Sequence, residues 1–119
     1  MFMVEFYETE DGRRPVEEFL NSLETKMRAK MGAMMLLLAE KGNGLRKPYT
    51  EQLEDGIFEL RAIQGNNISR ALFFFYVGKR IIITNGYVKK QQKTPRKEID
   101  LAKARKNDFY RQEIMRQRK

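Results

Sequence analysis

The chain contains no cysteine and no histidine. The first absence excludes a disulfide framework, a thiolate nucleophile and a Cys-based zinc site. The second removes the commonest transition-metal ligand and the commonest general base. No metal and no cofactor is therefore expected. A phosphate-binding loop is missing as well, because Gly42-Asn43-Gly44 has no strand leading into it and no helix after it. No stretch approaches the ~18 apolar residues of a membrane span. Residues 1–14 (MFMVEFYETEDGRR) lack the apolar run and small residues of a secretory leader. The expectation is a cytoplasmic protein with no membrane partner.

What is present is charge and aromatic bulk. The 119 residues are enough for one domain, residues 1–119, with a core of its own. A hydrophobic fraction of 41%, with 8 Phe and 5 Tyr, excludes a disordered basic tail. Lys plus Arg is 24 against 16 Asp plus Glu, a net charge of +8, and it is unevenly spread. Residues 1–78 carry 10 basic and 12 acidic side chains, net −2; residues 79–119 carry 14 and 4, net +10. Such asymmetry points to a polyanionic partner. The basic segment lacks the bulky apolar stripe that a membrane surface would need, which leaves nucleic acid or a solvated basic face that keeps the protein soluble.

Hydrophobic periodicity divides the chain. Residues 3–7 (MVEFY) alternate and favour a strand, followed by a turn through residues 8–12. From Pro15, Val16, Phe19, Leu20 and Leu23 recur at helical spacing, with Glu17 and Glu18 near the positive end of the dipole. A longer helix is expected over residues 24–40, with Met27, Met31, Met34, Met35 and Leu38 as a core stripe and Gly42 as its stop. Gly32 inside it suggests a close backbone contact, since glycine costs about 1 kcal/mol there against alanine. Residues 42–51 look like a loop. Residues 57–63, 68–77 and 80–87 form three strands joined by tight turns, an antiparallel meander, and the middle one is too apolar to be an edge with one wet face. Thr94 is the expected N-cap of a final basic helix, with Pro95 at its first position. The order β, α, α, β, β, β, α indicates an α+β fold with helices packed on one sheet.

Few residues offer chemistry. Glu54 and Asp55, and the acidic group at residues 8–11, have no partner base and read as solvated turns. Arg61 shares a strand face with Glu59, and Arg70 interrupts an otherwise apolar strand. Two explanations fit: an internal ion pair with Glu59, or convergence of both guanidinium groups on a phosphate, where the planar fork makes bidentate contacts. The last strand runs into Tyr87-Val88-Lys89-Lys90-Gln91-Gln92-Lys93, an aromatic with three lysines, the composition of a single-stranded RNA contact.

Residues 15–20 (PVEEFL), residues 53–61 (LEDGIFELR), Arg70 followed by Phe73-Phe74-Phe75-Tyr76, and above all residues 85–102 (NGYVKKQQKTPRKEIDLA) resemble the RelE/ParE superfamily of type II toxin–antitoxin toxins, most closely its phage-related, HigB-like branch. The resemblance covers nearly the whole chain. It implies a RelE-like fold, an antiparallel sheet carrying an N-terminal helical hairpin and a C-terminal basic helix. It also implies a toxin that cleaves mRNA in a ribosome-dependent, metal-independent manner, inhibits translation and leaves a 2′,3′-cyclic phosphate. The partners implied are the ribosome, mRNA and a cognate antitoxin of helix-turn-helix type. Carried onto this chain, Arg61, Arg70 and Lys89 are the catalytic candidates; Tyr87, Lys90, Lys93 and Arg96 are the RNA-binding ones. Family members often place His where this chain has Asn85, so a His-based acid or base is excluded. The alternatives are a ParE-like toxin that inhibits DNA gyrase without cutting RNA, and an inactive phage-derived nucleic-acid-binding protein. If the arginines act on phosphate, Arg61→Ala and Arg70→Ala are expected to relieve toxicity without unfolding the protein.

Overall fold

Residues 1–89 and 93–118 are described by a computed structural model. The strand β4 (Asn67–Tyr76) lies at the centre of one five-stranded sheet, so both of its faces are covered: Leu72 and Phe74 are fully buried on one side, Ala71 and Phe73 on the other. That position is the physical reason for its nearly unbroken apolar run. On one side it pairs antiparallel with β3 (Phe58–Gln64), which pairs with a three-residue edge strand, β2 (Thr50–Gln52). On the other it pairs antiparallel with β5 (Arg80–Val88), and the first strand, β1 (Met3–Phe6), lies parallel to β5 at the far edge.

The meander is as expected from the alternation, but β2 overlaps the end of the segment read as a loop. Three polar residues, Thr50-Glu51-Gln52, carry no periodicity. Their extended conformation comes from pairing with β3, Glu51 opposite Glu59.

The helices α1 (Pro15–Ser22) and α2 (Thr25–Lys41) cover one face, where Val16, Met31 and Leu38 pack with Leu60, Phe73, Ile81 and Ile83. The methionine stripe is core filler, as its spacing indicates. Gly42 ends α2 at φ 54°, and a Cβ there would run into the Phe2 ring. Gly32 does not have the close contact expected of it: no atom lies within 4 Å of the position its Cβ would take.

The last helix, α3 (Arg96–Gln117), covers the opposite face, closing a second core of Ile57, Leu72, Phe74, Ile82 and Ala102. Its N-cap position is held by Pro95 with no side-chain cap bond. Thr94 is not the cap, because its hydroxyl donates instead to the buried Glu59 carboxylate at 2.6 Å, a charge-assisted bond. The acidic turns are not simply solvated either. Glu54 accepts from Arg96 and Lys103, Asp55 pairs with Lys103, and Glu10 pairs with Arg111, so these turns clamp the basic helix to the sheet. No helix among the described residues is long and apolar enough to cross a membrane.

Candidate functional site

Strand register builds the site. Arg61 on β3 lies opposite Arg70 on β4, and Arg70 lies opposite Tyr87 on β5, so these three side chains form a row across the sheet on the α3 face. Directly opposed like charges destabilise a strand pair unless a counter-charge intervenes. Glu59, two residues before Arg61 on the same face of β3, supplies it. Its carboxylate is fully buried and accepts from Arg70 Nη1, from the Tyr87 hydroxyl at 2.8 Å and from the Thr94 hydroxyl at 2.6 Å, with Arg61 Nε 3.5 Å away. Arg61 also donates through Nη2 to Glu51 and through Nη1 to the Pro48 carbonyl at 3.4 Å. The internal ion pairs weighed from the sequence are therefore present.

The arginines differ in access. Arg70 is 3% exposed and forms the floor of a cleft of about 410 Å³. Arg61, with 19% of its side chain exposed, stands in the wall with Pro48, Glu51, Ile68 and Lys89. Lys89 is held there because its backbone N–H donates to the Ile68 carbonyl at 2.8 Å, extending the β4–β5 pairing one residue past β5. The Nε atoms of both arginines are buried without a hydrogen-bond partner. Burial pushes the Tyr87 phenol up to about 12, and the bond to Glu59 adds to this against the opposing effects of Thr94 and Arg70. The phenol is thus a neutral proton donor throughout the physiological range.

A second cleft, of about 790 Å³, adjoins the first across Glu51 and opens between β2 and the start of α3, lined by Gln52, Leu53, Lys93, Thr94 and Arg96. Lys93 is exposed. Arg96 is also exposed, but its guanidinium is shared between Glu54 and Asp100.

The family model for the phage-derived protein Gp49-like matches residues 18–107, most of the chain and every one of these cleft residues. The chain belongs to the Gp49-like phage-derived protein family. Among solved structures, the Gp49-like chain is similar to a chain in the crystal structure of the archaeal RelE–RelB complex from Pyrococcus horikoshii OT3. The two share 18% sequence identity at a TM-score of 0.54, over 76% of this chain and 98% of that one. This likeness shows the RelE-like fold. No curated protein matches the chain in sequence.

Of the predicted site residues in this Gp49-like chain, Arg61, Arg70 and Lys89 come together around one cleft, Tyr87 stands opposite Arg70 in the same row with its hydroxyl on Glu59 and lines neither cleft, and Lys93 and Arg96 line the neighbouring cleft. Lys90 lies outside the described residues. Asn85 lines neither cleft: it is buried, and its amide donates to the Glu98 carboxylate at 3.0 Å in the first turn of α3. Sequence reasoning treated Glu59 only as a possible ion-pair partner and missed Glu51 and Thr94 as site residues. The alternation of Phe58-Glu59-Leu60-Arg61 carried a signal for Glu59. Glu51 had none, since the strand that places it is made by pairing alone.

Proposed function

We propose that this Gp49-like protein is the toxin component of a type II toxin–antitoxin system and acts as a ribosome-dependent mRNA endonuclease. The row of Arg61, Arg70 and Tyr87, with Lys89 on the rim, is the observation that carries the reading. It offers two arginines and a neutral phenol in one row of the sheet, beside a cleft open to solvent and next to a second cleft that carries Lys93 and Arg96, without any imidazole. In the proposed reaction the ribose 2′-hydroxyl attacks the adjacent phosphorus and loses its proton to solvent, and the bond from phosphorus to the 5′-oxygen breaks as that oxygen takes up a proton, giving a 2′,3′-cyclic phosphate and a 5′-hydroxyl end. Arg61, released from Glu51 by the incoming phosphate, and Lys89 balance the charge gathering on the phosphoryl oxygens. Arg70 contributes its field from below, held by the Glu59 carboxylate that it shares with the phenol of Tyr87. The ribosome supplies the in-line geometry of the substrate. Lys93 and Arg96 receive the flanking phosphates.

The solved structure that this chain resembles holds a RelE with a RelB. By analogy, we assign this chain a cognate antitoxin of its own, which keeps the toxin silent in the cell. Primer extension on mRNA from cells expressing the chain without antitoxin tests the reading. Discrete cuts within translated frames, lost in Arg61→Ala, are expected. Uncut mRNA accompanied by DNA damage and filamentation would replace it with gyrase inhibition; uncut mRNA in healthy cells would leave an inactive nucleic-acid-binding protein.

A further inference from the structure

We infer that Glu59 is a positioning residue, whose single carboxylate sets the direction of the Arg70 guanidinium and the Tyr87 hydroxyl and fastens the start of α3 to the sheet through Thr94. The inference rests on the reading of the cleft as an RNA-cleaving site and assigns Glu59 a role within it.

A carboxylate with no solvent exposure is costly unless it is paired and its lone pairs are filled. Here they are filled by donors from three separate elements: Arg70 on β4, Tyr87 on β5 and Thr94 ahead of α3, with Arg61 Nε at 3.5 Å. An ion pair alone would need Arg70 and nothing more. The two added hydroxyls come from the strand that leads to Lys89 and from the segment that leads to Arg96, so one buried atom group ties both rims of the paired clefts to their floor. Glu59 lines neither cleft and is fully buried. Arg70 Nε is buried without a hydrogen-bond partner, so among the described residues the bond to Glu59 is the one that fixes its guanidinium. Placement of the floor therefore depends on Glu59, and a displacement of about 1 Å in a catalytic group is enough to slow a reaction ~10²-fold.

The test is Glu59→Gln, which keeps the volume and one acceptor oxygen but removes the charge and the second acceptor. Ribosome-dependent cleavage is measured as kcat and KM, and the Tyr87 phenol is titrated by NMR on ring-labelled tyrosine, with Tyr87→Phe giving the assignment. The expected result is a kcat lower by ~10²-fold with KM little changed, the signature of an effect confined to the transition state. The Tyr87 midpoint is expected to move down, because Glu59 holds it up, and Glu59→Asp is expected to restore part of kcat. A folded Glu59→Gln protein with wild-type kcat overturns the inference. If the wild-type protein itself makes no cuts, the nuclease reading falls, and an unmoved Tyr87 midpoint in Glu59→Gln then overturns the positioning role separately. If Glu59→Gln does not fold, Thr94→Val takes its place: a lower kcat and an upward Tyr87 midpoint are expected, and the absence of both overturns the inference.

Discussion

Arg70→Ala and Arg61→Ala, one residue apart in role by sequence, are expected to behave very differently in stability. The Arg70 side chain is 4% exposed and its partner Glu59 is 0% exposed, so deleting Arg70 leaves a buried carboxylate with two hydroxyl donors and, as its nearest cation, Arg61 Nε at 3.5 Å without a hydrogen bond. Breaking a buried pair from one side costs about 3–5 kcal/mol. For a chain of this length the unfolding entropy is about 250 cal/mol/K, so the melting temperature is expected to fall by about 12–20 °C. Arg61 hydrogen-bonds Glu51, whose side chain is 34% exposed, and only approaches Glu59 at 3.5 Å without a hydrogen bond while Arg70 keeps that carboxylate paired; a solvent-reached pair is worth about 0–1 kcal/mol, or less than about 4 °C. Thermal and urea unfolding of the purified single variants measure both. Combining Arg70→Met with Glu59→Gln is expected to cost less than the sum of the two single changes, because each single change strands the other partner. A melting temperature for Arg70→Ala within about 4 °C of wild type would refute the reasoning. The prediction revises the one drawn from sequence: a loss of toxicity in Arg70→Ala carries the cost of the fold with it, and Arg61→Ala is the cleaner probe of phosphate contact.

Gly32→Ala is expected to raise stability by about 0.5–1 kcal/mol, read in urea unfolding, since the helix gains propensity and a methyl there meets nothing within 4 Å. The Glu54 carboxyl is held down to about 2, first by its hydrogen bond from Arg96 and then by Lys103. Its contribution to docking α3 is therefore complete above the ordinary carboxylate range near 4.5 and lost as pH falls towards 2. Acid titration of α3 amide shifts by NMR should show this loss, and Glu54→Gln should be flat over the same range. Binding of single-stranded RNA should weaken linearly in log salt, and Lys89→Ala is expected to reduce that slope by about 0.7, with no change in slope arguing against a phosphate contact at Lys89.

Much of the architecture was legible because it is set by local period. Met27, Met31, Met34 and Leu38 recur at the helical repeat and are buried against the sheet. Phe58, Leu60 and Ala62 alternate with Glu59 and Arg61, and the two sets occupy opposite faces. The strand β2 was not legible, since three polar residues have no period and become a strand only by lying beside β3. Thr94 has the residue type and spacing of a cap, but a buried carboxylate from a distant strand takes its hydroxyl.

The charge shows the division most clearly. By itself the sequence determined that the chain is a basic α+β domain without imidazole or thiol chemistry, with most of its acidic side chains in the first two thirds and its basic surplus in the last. Only the tertiary structure decided that these two parts partly cancel, through Glu10, Glu54 and Asp55 on α3, while Glu51 and Glu59 are taken up by Arg61 and Arg70 within the first part itself. A charge count depends on composition alone, whereas an ion pair depends on which residues the register and the docking of a helix bring within about 4 Å, across separations in sequence that no local pattern spans.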